Sequence, residues 1–167
     1  MTQRLPLLLI AAVLFGLDRW SKRAIESSME LYSSKEIIAG FFDLVHTRNT
    51  GIAFSMFADA GPVVKDWVLP IVSMFAVGLI VTMLWKSEPG VGKSSVALTL
   101  ILAGAAGNLY DRVMYGFVVD FLDVYVGSWH WPAFNVADSC ITTGAALLLL
   151  DTWARSPESE GTPEPAA

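Results

Sequence analysis

The chain has 167 residues, 54% of them hydrophobic and 16% charged, with a positive mean hydropathy, a balance that excludes an ordinary soluble domain and points to one integral membrane domain. The net charge of −5 is inflated by Glu158, Glu160 and Glu164, which sit in a stretch, residues 156–167, too polar to bury anything and read as a disordered tail. A single cysteine, Cys140, leaves no internal disulfide and no cysteine-cluster metal site, and a small buried thiol is its expected state.

The first apolar run, residues 5–17, follows Arg4 and has the outline of a secretory signal peptide. No small-x-small cleavage site follows it, and thirteen residues reach only about 20 Å. The helix is therefore expected to continue through Ser21 as a retained span, residues 5–21, with Asp18 and Lys22 four apart on one face, where an acid and a base can pair. Residues 36–57 are rich in Ile, Phe, Val and Thr and are broken by Gly40 and Asn49-Thr50-Gly51. They predict a small β platform lying against the membrane surface. Residues 59–67, with Gly61-Pro62, read as a short surface segment, Pro62 standing near a helix start.

Residues 67–85 carry no charge and are bracketed by two tryptophans; at 1.5 Å per residue they cover about 28 Å, close to one hydrocarbon thickness. The turn after them contains Gly90-Val91-Gly92-Lys93-Ser94, whose glycine spacing is too short for a phosphate loop and which no strand precedes. Two further spans, residues 96–112 and 134–153, hold their polar residues toward one end. If the chain alternates direction, Asn108 and Asn135 fall on the same membrane side.

Ionisable groups at bilayer depth are expensive, so their default reading is functional. Asn108 and Asp111 are three apart, as are Asn135 and Asp138, so each pair shares a helix face. For Asp111 the structural reading is favoured: it glues helices together or binds its neighbour Arg112. Asp138 has no neighbouring base and lies in an apolar helix, so it needs a partner, a water or a proton. Asp120 interrupts the apolar run 117–122, where a cap or turn residue between the third and fourth spans is the alternative. Two acids brought together at a low-dielectric boundary share a proton, which lets one act as general base on water and the other as general acid. His46 and His130 are too scattered for a metal site, and a Gly-x-Ser-x-Gly elbow is absent.

Five motifs stand in order: Asp18-x-x-Ser21-Lys22, Asn49-Thr50-Gly51-Ile52-Ala53-Phe54, Gly104-x-x-Gly107-Asn108-x-x-Asp111-Arg112, Val118-Val119-Asp120-Phe121, and Phe134-Asn135-x-Ala137-Asp138-Ser139. Over residues 5–153 the chain resembles the lipoprotein signal peptidases (signal peptidase II), aspartyl proteases of the bacterial inner membrane. The resemblance implies a membrane all-α bundle of four transmembrane helices in one domain, residues 1–155, with a small extracytoplasmic β platform, a β cradle, and a short surface helix. It implies cleavage of diacylglyceryl-modified prolipoproteins just before the lipidated cysteine. It places the catalytic dyad on Asp120 and Asp138, and substrate-binding or supporting roles on Asp18, Lys22, Asn49, Gly51, Asn108, Asp111, Arg112 and Asn135. No metal, cofactor or nucleic acid is expected and no oligomer is required; membrane phospholipid and the inhibitor globomycin are the other expected partners. Two departures are visible: Arg19 where the family commonly has glutamine, and Ala103-Gly104 where it has a glycine pair.

Orientation sets two arguments against each other. Arg4, Lys86, Lys93 and Arg155 lie on the side of the termini, against seven basic residues, Arg19, Lys22, Arg23, Lys35, Arg48, Lys65 and Arg112, on the other. The positive-inside rule alone would put the platform in the cytoplasm. The resemblance puts it outside with both termini cytoplasmic, and a folded platform can meet anionic headgroups. The competing class is a small transporter or assembly factor whose buried acids relay protons or bind a cation.

Overall fold

A computed structural model describes residues 4–51, 61–87 and 90–155. The expected polar tail at 156–167, the part of the platform beyond Gly51 and the first residues of the surface segment lie outside the described residues.

The first helix, α1 (Leu5–Ser28), runs about 36 Å and extends a further seven residues past the expected end at Ser21. Its buried positions, Leu7, Asp18, Lys22 and Ile25, form one stripe that is apolar at both ends and charged in the middle. The hairpin β1 (Ser34–Ile38) and β2 (Phe42–Asn49) turns at Gly40, whose φ of +73° suits a residue without Cβ. After a π-helical turn at Val64–Val68 comes α2 (Leu69–Lys86), then α3 (Lys93–Tyr115), β3 (Val118–Val126), β4 (Trp129–His130) and α4 (Val136–Arg155).

The π-helical turn has a covalent cause. Pro70 has no N–H to return to the carbonyl four residues back, and the Leu69 N–H bonds the Val64 carbonyl five back. The helical stretch Val64–Lys86 is, among the described residues, the one long and apolar enough to cross a membrane on length and composition alone. The other three helices carry polar residues of the motifs, among them Asp18, Lys22, Asn108, Asp111 and Asp138.

The platform is larger than the sequence predicts. Four antiparallel strands pair in the order β1-β2-β3-β4, and half of them follow α3. The run 117–122, for which a cap or turn at Asp120 is the alternative, is mostly strand: Gly116, at φ +75°, ends α3 in a left-handed cap and turns the chain into β3. A short apolar run with one acid has no period that separates strand from helix, so only the pairing with β2 decides it. Leu44 faces Leu122 but Thr47 faces Asp120, so β2 carries an extra residue there, a bulge beside the acid.

Two apolar clusters bracket the molecule, Leu7 with Leu84 and Leu98 at the end of the termini, and Ile25 with Val119 and Phe121 under the sheet. At the first of these ends Arg4 donates to the carbonyls of Leu84, Trp85 and Ser87 at 2.5–2.8 Å and caps α2. Glycines bring α3 and α4 into backbone contact. A Cβ on Gly104 would stand 2.2 Å from the Ala137 carbonyl oxygen, and one on Gly144 2.6 Å from that of Ala97. Gly104→Ala should therefore cost about 1–3 kcal/mol by overpacking. The check is the thermal unfolding midpoint in detergent against Gly78→Ala, whose new methyl meets nothing within 4 Å; equal midpoints would contradict this packing. Ala103, the residue at the other departure, is itself 3% exposed and fits without a second glycine.

Candidate active site

The site grows from the junction of β3 and α4. The Phe134 carbonyl accepts from the Phe121 and Leu122 N–H groups at 2.9 and 2.8 Å, and the Phe134 N–H returns to the Leu122 carbonyl at 3.0 Å. This clamp fixes the start of α4 beside β3. There the Asn135 side-chain oxygen accepts the Asp138 N–H at 2.9 Å while Asp138 Oδ2 accepts the Asn135 N–H at 3.3 Å. That is a reciprocal cap of the helix N-terminus, where a carboxylate is also favoured by the dipole.

Asn135 is fully buried and links the two acids: its Nδ2 donates to Asp120 Oδ1 at 2.7 Å, while its backbone and side-chain oxygen hold Asp138. Asp120 Oδ2 accepts from Asn49 Nδ2 at 3.0 Å, and its carbonyl accepts from Thr47 Oγ1 at 3.1 Å. Asp138 Oδ1 accepts from Asn108 Nδ2 at 2.8 Å. Three amides thus hold two carboxyl groups, each amide also occupied elsewhere, so none is free to turn. Burial first, and then the charge of Asp138, push the Asp120 carboxyl up to about 7, against the opposing pull of the Asn49 and Asn135 hydrogen bonds.

A buried ionic cluster underlies the pair. Lys22 Nζ donates to Asp18 Oδ2 at 2.9 Å and to Asn108 Oδ1 at 3.0 Å, and lies 2.7 Å from Asp111 Oδ2. Asp18 Oδ1 accepts the Ala137 N–H at 3.0 Å, tying α1 to the turn that bears Asp138. Gly107 leaves room for this, since a Cβ there would stand 2.7 Å from Asp18 Oδ2. Lys22, Asp18 and Asp111 are each at most 1% exposed.

Of the two structural readings of Asp111, the one that glues helices together forms and the pairing with Arg112 does not. Asp111 takes Lys22 and Arg19, whereas Arg112 reaches away to the Gly51 carbonyl at 3.0 Å and the Asn108 carbonyl at 3.4 Å. Adjacent residues on a helix do not face each other, so Asp111 is turned toward α1 and Arg112 toward the end of β2. Gly51 is held in turn by its N–H donating to Asn49 Oδ1 at 2.9 Å. All ten expected site residues therefore belong to one connected network. Thr47 has no signal of its own in the sequence, and Arg19 reads there as a departure and as a charge bearing on orientation but not as a site residue, although a cation inside an acid-base motif is a signal.

A cavity of about 980 Å³ opens onto both acids, with Asn49, Asn108 and Arg112 on its polar wall and Ala76, Ile80, Ile101, Ala105 and Ile141 on its apolar one. The arrangement offers two carboxyl groups of unlike surroundings at the head of a largely apolar cleft.

A family model described as signal peptidase (SPase) II matches residues 10–154. A lipoprotein signal peptidase of Solibacter usitatus is 43% identical over 142 residues, covering 85% of this chain and 87% of the relative. Another, of Alteromonas mediterranea, is 45% identical over 150 residues, with 88% and 80% covered. Two solved structures, each described as a bacterial membrane enzyme, are similar in fold. One aligns with a TM-score of 0.80 at 30% identity over 90% of this chain and 94% of the other, the second with 0.75 at 31% over 93% and 94%.

Proposed function

The chain belongs to the signal peptidase II family, whose members are proteases, and from that premise we propose that it removes the signal peptide of diacylglyceryl-modified prolipoproteins by a two-aspartate mechanism, cutting just before the lipidated cysteine. The observation that carries this reading is the buried Asn135, which bonds Asp120 and Asp138 together at the head of one cleft.

With one proton between them, the ionised acid takes a proton from water as the water attacks the scissile carbonyl, and the protonated acid gives its own to the carbonyl oxygen; as the C–N bond then breaks, the proton taken from water passes to the leaving nitrogen and the other acid takes one back from a hydroxyl of the tetrahedral diol. Asn49, Asn108 and Asn135 fix the two carboxyl groups. Lys22, Asp18 and Asp111 fix Asn108 and the start of α4, and Arg112 with Gly51 shapes the end of β2 that would hold the signal segment extended. The apolar cleft walls suit acyl chains and a hydrophobic signal segment, and globomycin would compete for the same space.

All four helices cross the membrane in this reading. Exposed apolar side chains support it: Leu9 and Val13 on α1, Ile71 and Phe75 on α2, Val113 and Met114 on α3, Leu149 and Leu150 on α4. The buried charges Asp18 and Lys22 of α1 and Asp111 of α3 face one another and not the surroundings, as they do in membrane bundles. Both termini then lie in the cytoplasm and the sheet outside; a reporter fused at Glu30 that is active in the cytoplasm would reverse the topology.

The pH dependence follows from Asp120. Held up at about 7, its carboxyl keeps the proton below that value and releases it above, leaving two ionised acids and no proton donor. The turnover rate should fall as pH rises through about 7, a limb that belongs to the pair and not to one residue. A rate that stays flat to pH 9 would contradict a proton-sharing dyad. To test the substrate, detergent-solubilised protein is given the same prolipoprotein with and without its diacylglyceryl group, in EDTA. Only the lipidated form should be cut; equal cutting of both would remove the lipid from the reading, and loss of activity in EDTA would overturn a metal-free mechanism.

A further inference from the structure

Where α1 and α3 meet the sheet, three guanidinium groups and a run of aromatic rings form a surface to which the peptidase reading gives no task. Tyr110 and Tyr115 meet edge to face at 6.1 Å, and Tyr115 continues to Phe117 at 6.2 Å. Arg19 lies over Tyr110 at 4.9 Å and over Tyr115 at 5.9 Å, and Arg48 lies over Phe117 at 4.3 Å. Arg23, one turn further along α1 from Arg19 and on the same face, is exposed. Of these cations only Arg19 is answered by an acid, Asp111, which it shares with Lys22. Among the described residues neither Arg23 nor Arg48 has a carboxylate within ion-pairing distance, and both side chains are exposed.

A guanidinium stacked on a ring is weakly hydrated, keeps its N–H edge free, and matches phosphate oxygens better than an ammonium does. The depth is right for a headgroup. At ~1.5 Å per residue Arg23 is roughly 27 Å along α1 from Leu5, about one hydrocarbon thickness. The exposed Trp20, Tyr110 and Tyr115 lie at the same level, as interfacial aromatics do. We propose that this surface binds the phosphate of an anionic phospholipid at the rim of the catalytic cleft, whose lining includes Arg48. The headgroup supplies the countercharge that the chain withholds, which also accounts for basic residues gathering on the side of the sheet. The inference rests on the membrane placement proposed above and not on proteolysis, so binding is the readout and cleavage is not.

The full-length protein, in detergent, is offered equimolar phosphatidylglycerol and phosphatidylcholine and weighed by native mass spectrometry. Wild type should retain phosphatidylglycerol in preference by roughly tenfold, weakening with salt. Arg23→Gln with Arg48→Gln should bring the two lipids to parity while leaving the lipid-free unfolding midpoint in place. Equal retention of both lipids by wild type, or a preference that survives in the double variant, would overturn the site. Displacement of the lipid by millimolar inorganic phosphate would also overturn it, since the ligand would then be the free anion and not the lipid.

Discussion

Asp120→Asn and Asp138→Asn should each lower the cleavage rate by about 10²–10⁴-fold, the range that general acid-base catalysis supplies. The double variant should be no slower than the slower single one. Non-additivity follows from the shared proton: once either acid is an amide, the other has no partner with which to exchange it, and groups acting as a unit lose their function together. The fold should survive. Asp120 accepts from two amides, Asn49 and Asn135, so an amide in its place sets one N–H₂ against another, a mismatch of about 1–3 kcal/mol. Removing a desolvated charge offsets part of that. Single-turnover cleavage, with elution volume and unfolding midpoint measured on the same samples, decides it. A variant that folds and keeps a rate within tenfold of wild type would move the chemistry off that residue.

Lys22→Met is the substitution with the largest expected effect on stability, about 3–5 kcal/mol, the usual result of stripping one partner from a buried ion pair. Methionine replaces most of the volume but leaves Asp18 without its cation and Asn108 Oδ1 with only the long 3.5 Å bond from Asn135 Nδ2, while Asp111 keeps Arg19. Asn108 in turn orients Asp138, so the cleavage rate should fall along with the unfolding midpoint. Asp18 supplies an internal control. Adding Asp18→Asn to Lys22→Met removes the stranded charge, so the double variant should lie above the sum of the two single losses by about 0.5–3 kcal/mol. Denaturant titration in detergent measures this cycle. Lys22→Met as stable as wild type would mean that the lysine is not the ionic centre of the bundle.

The helices and the platform differ in how far the sequence reveals them. Three of the four long apolar runs can be read as helices within about three residues at each end, because local composition sets them, while α1 continues seven residues past its expected end at Ser21. The i,i+4 spacing of Asp18 and Lys22 likewise carries their contact, since it depends on one helix alone. Contacts between distant segments carry no such signal. Asp111 finds Arg19, 92 residues earlier, in preference to the Arg112 beside it, because helix geometry turns adjacent side chains apart. The strand nature of 118–126 depends on β2, some seventy residues upstream, and without that pairing Asp120 looks like a cap. Spacing alone leaves the meeting of Asp120 with Asp138 merely permitted; it is the Phe134 clamp and the buried Asn135 that accomplish it. Ordered motifs name these residues in advance only by resemblance, and the hydrogen bonds give the physical reason for their company.

If the acid pair cuts a lipid-modified precursor, intact-mass analysis of both products will show it. Purified protein, held in detergent with no proton gradient, is incubated with a diacylglyceryl prolipoprotein, and the two fragments are weighed. The expected products are a mature chain that begins at the lipidated cysteine and a released signal peptide ending at the residue before it, with neither fragment formed by the Asp138→Asn protein. A well-folded wild type that leaves the precursor whole would contradict the account and favour buried acids that carry protons or ions in place of cleaving a bond.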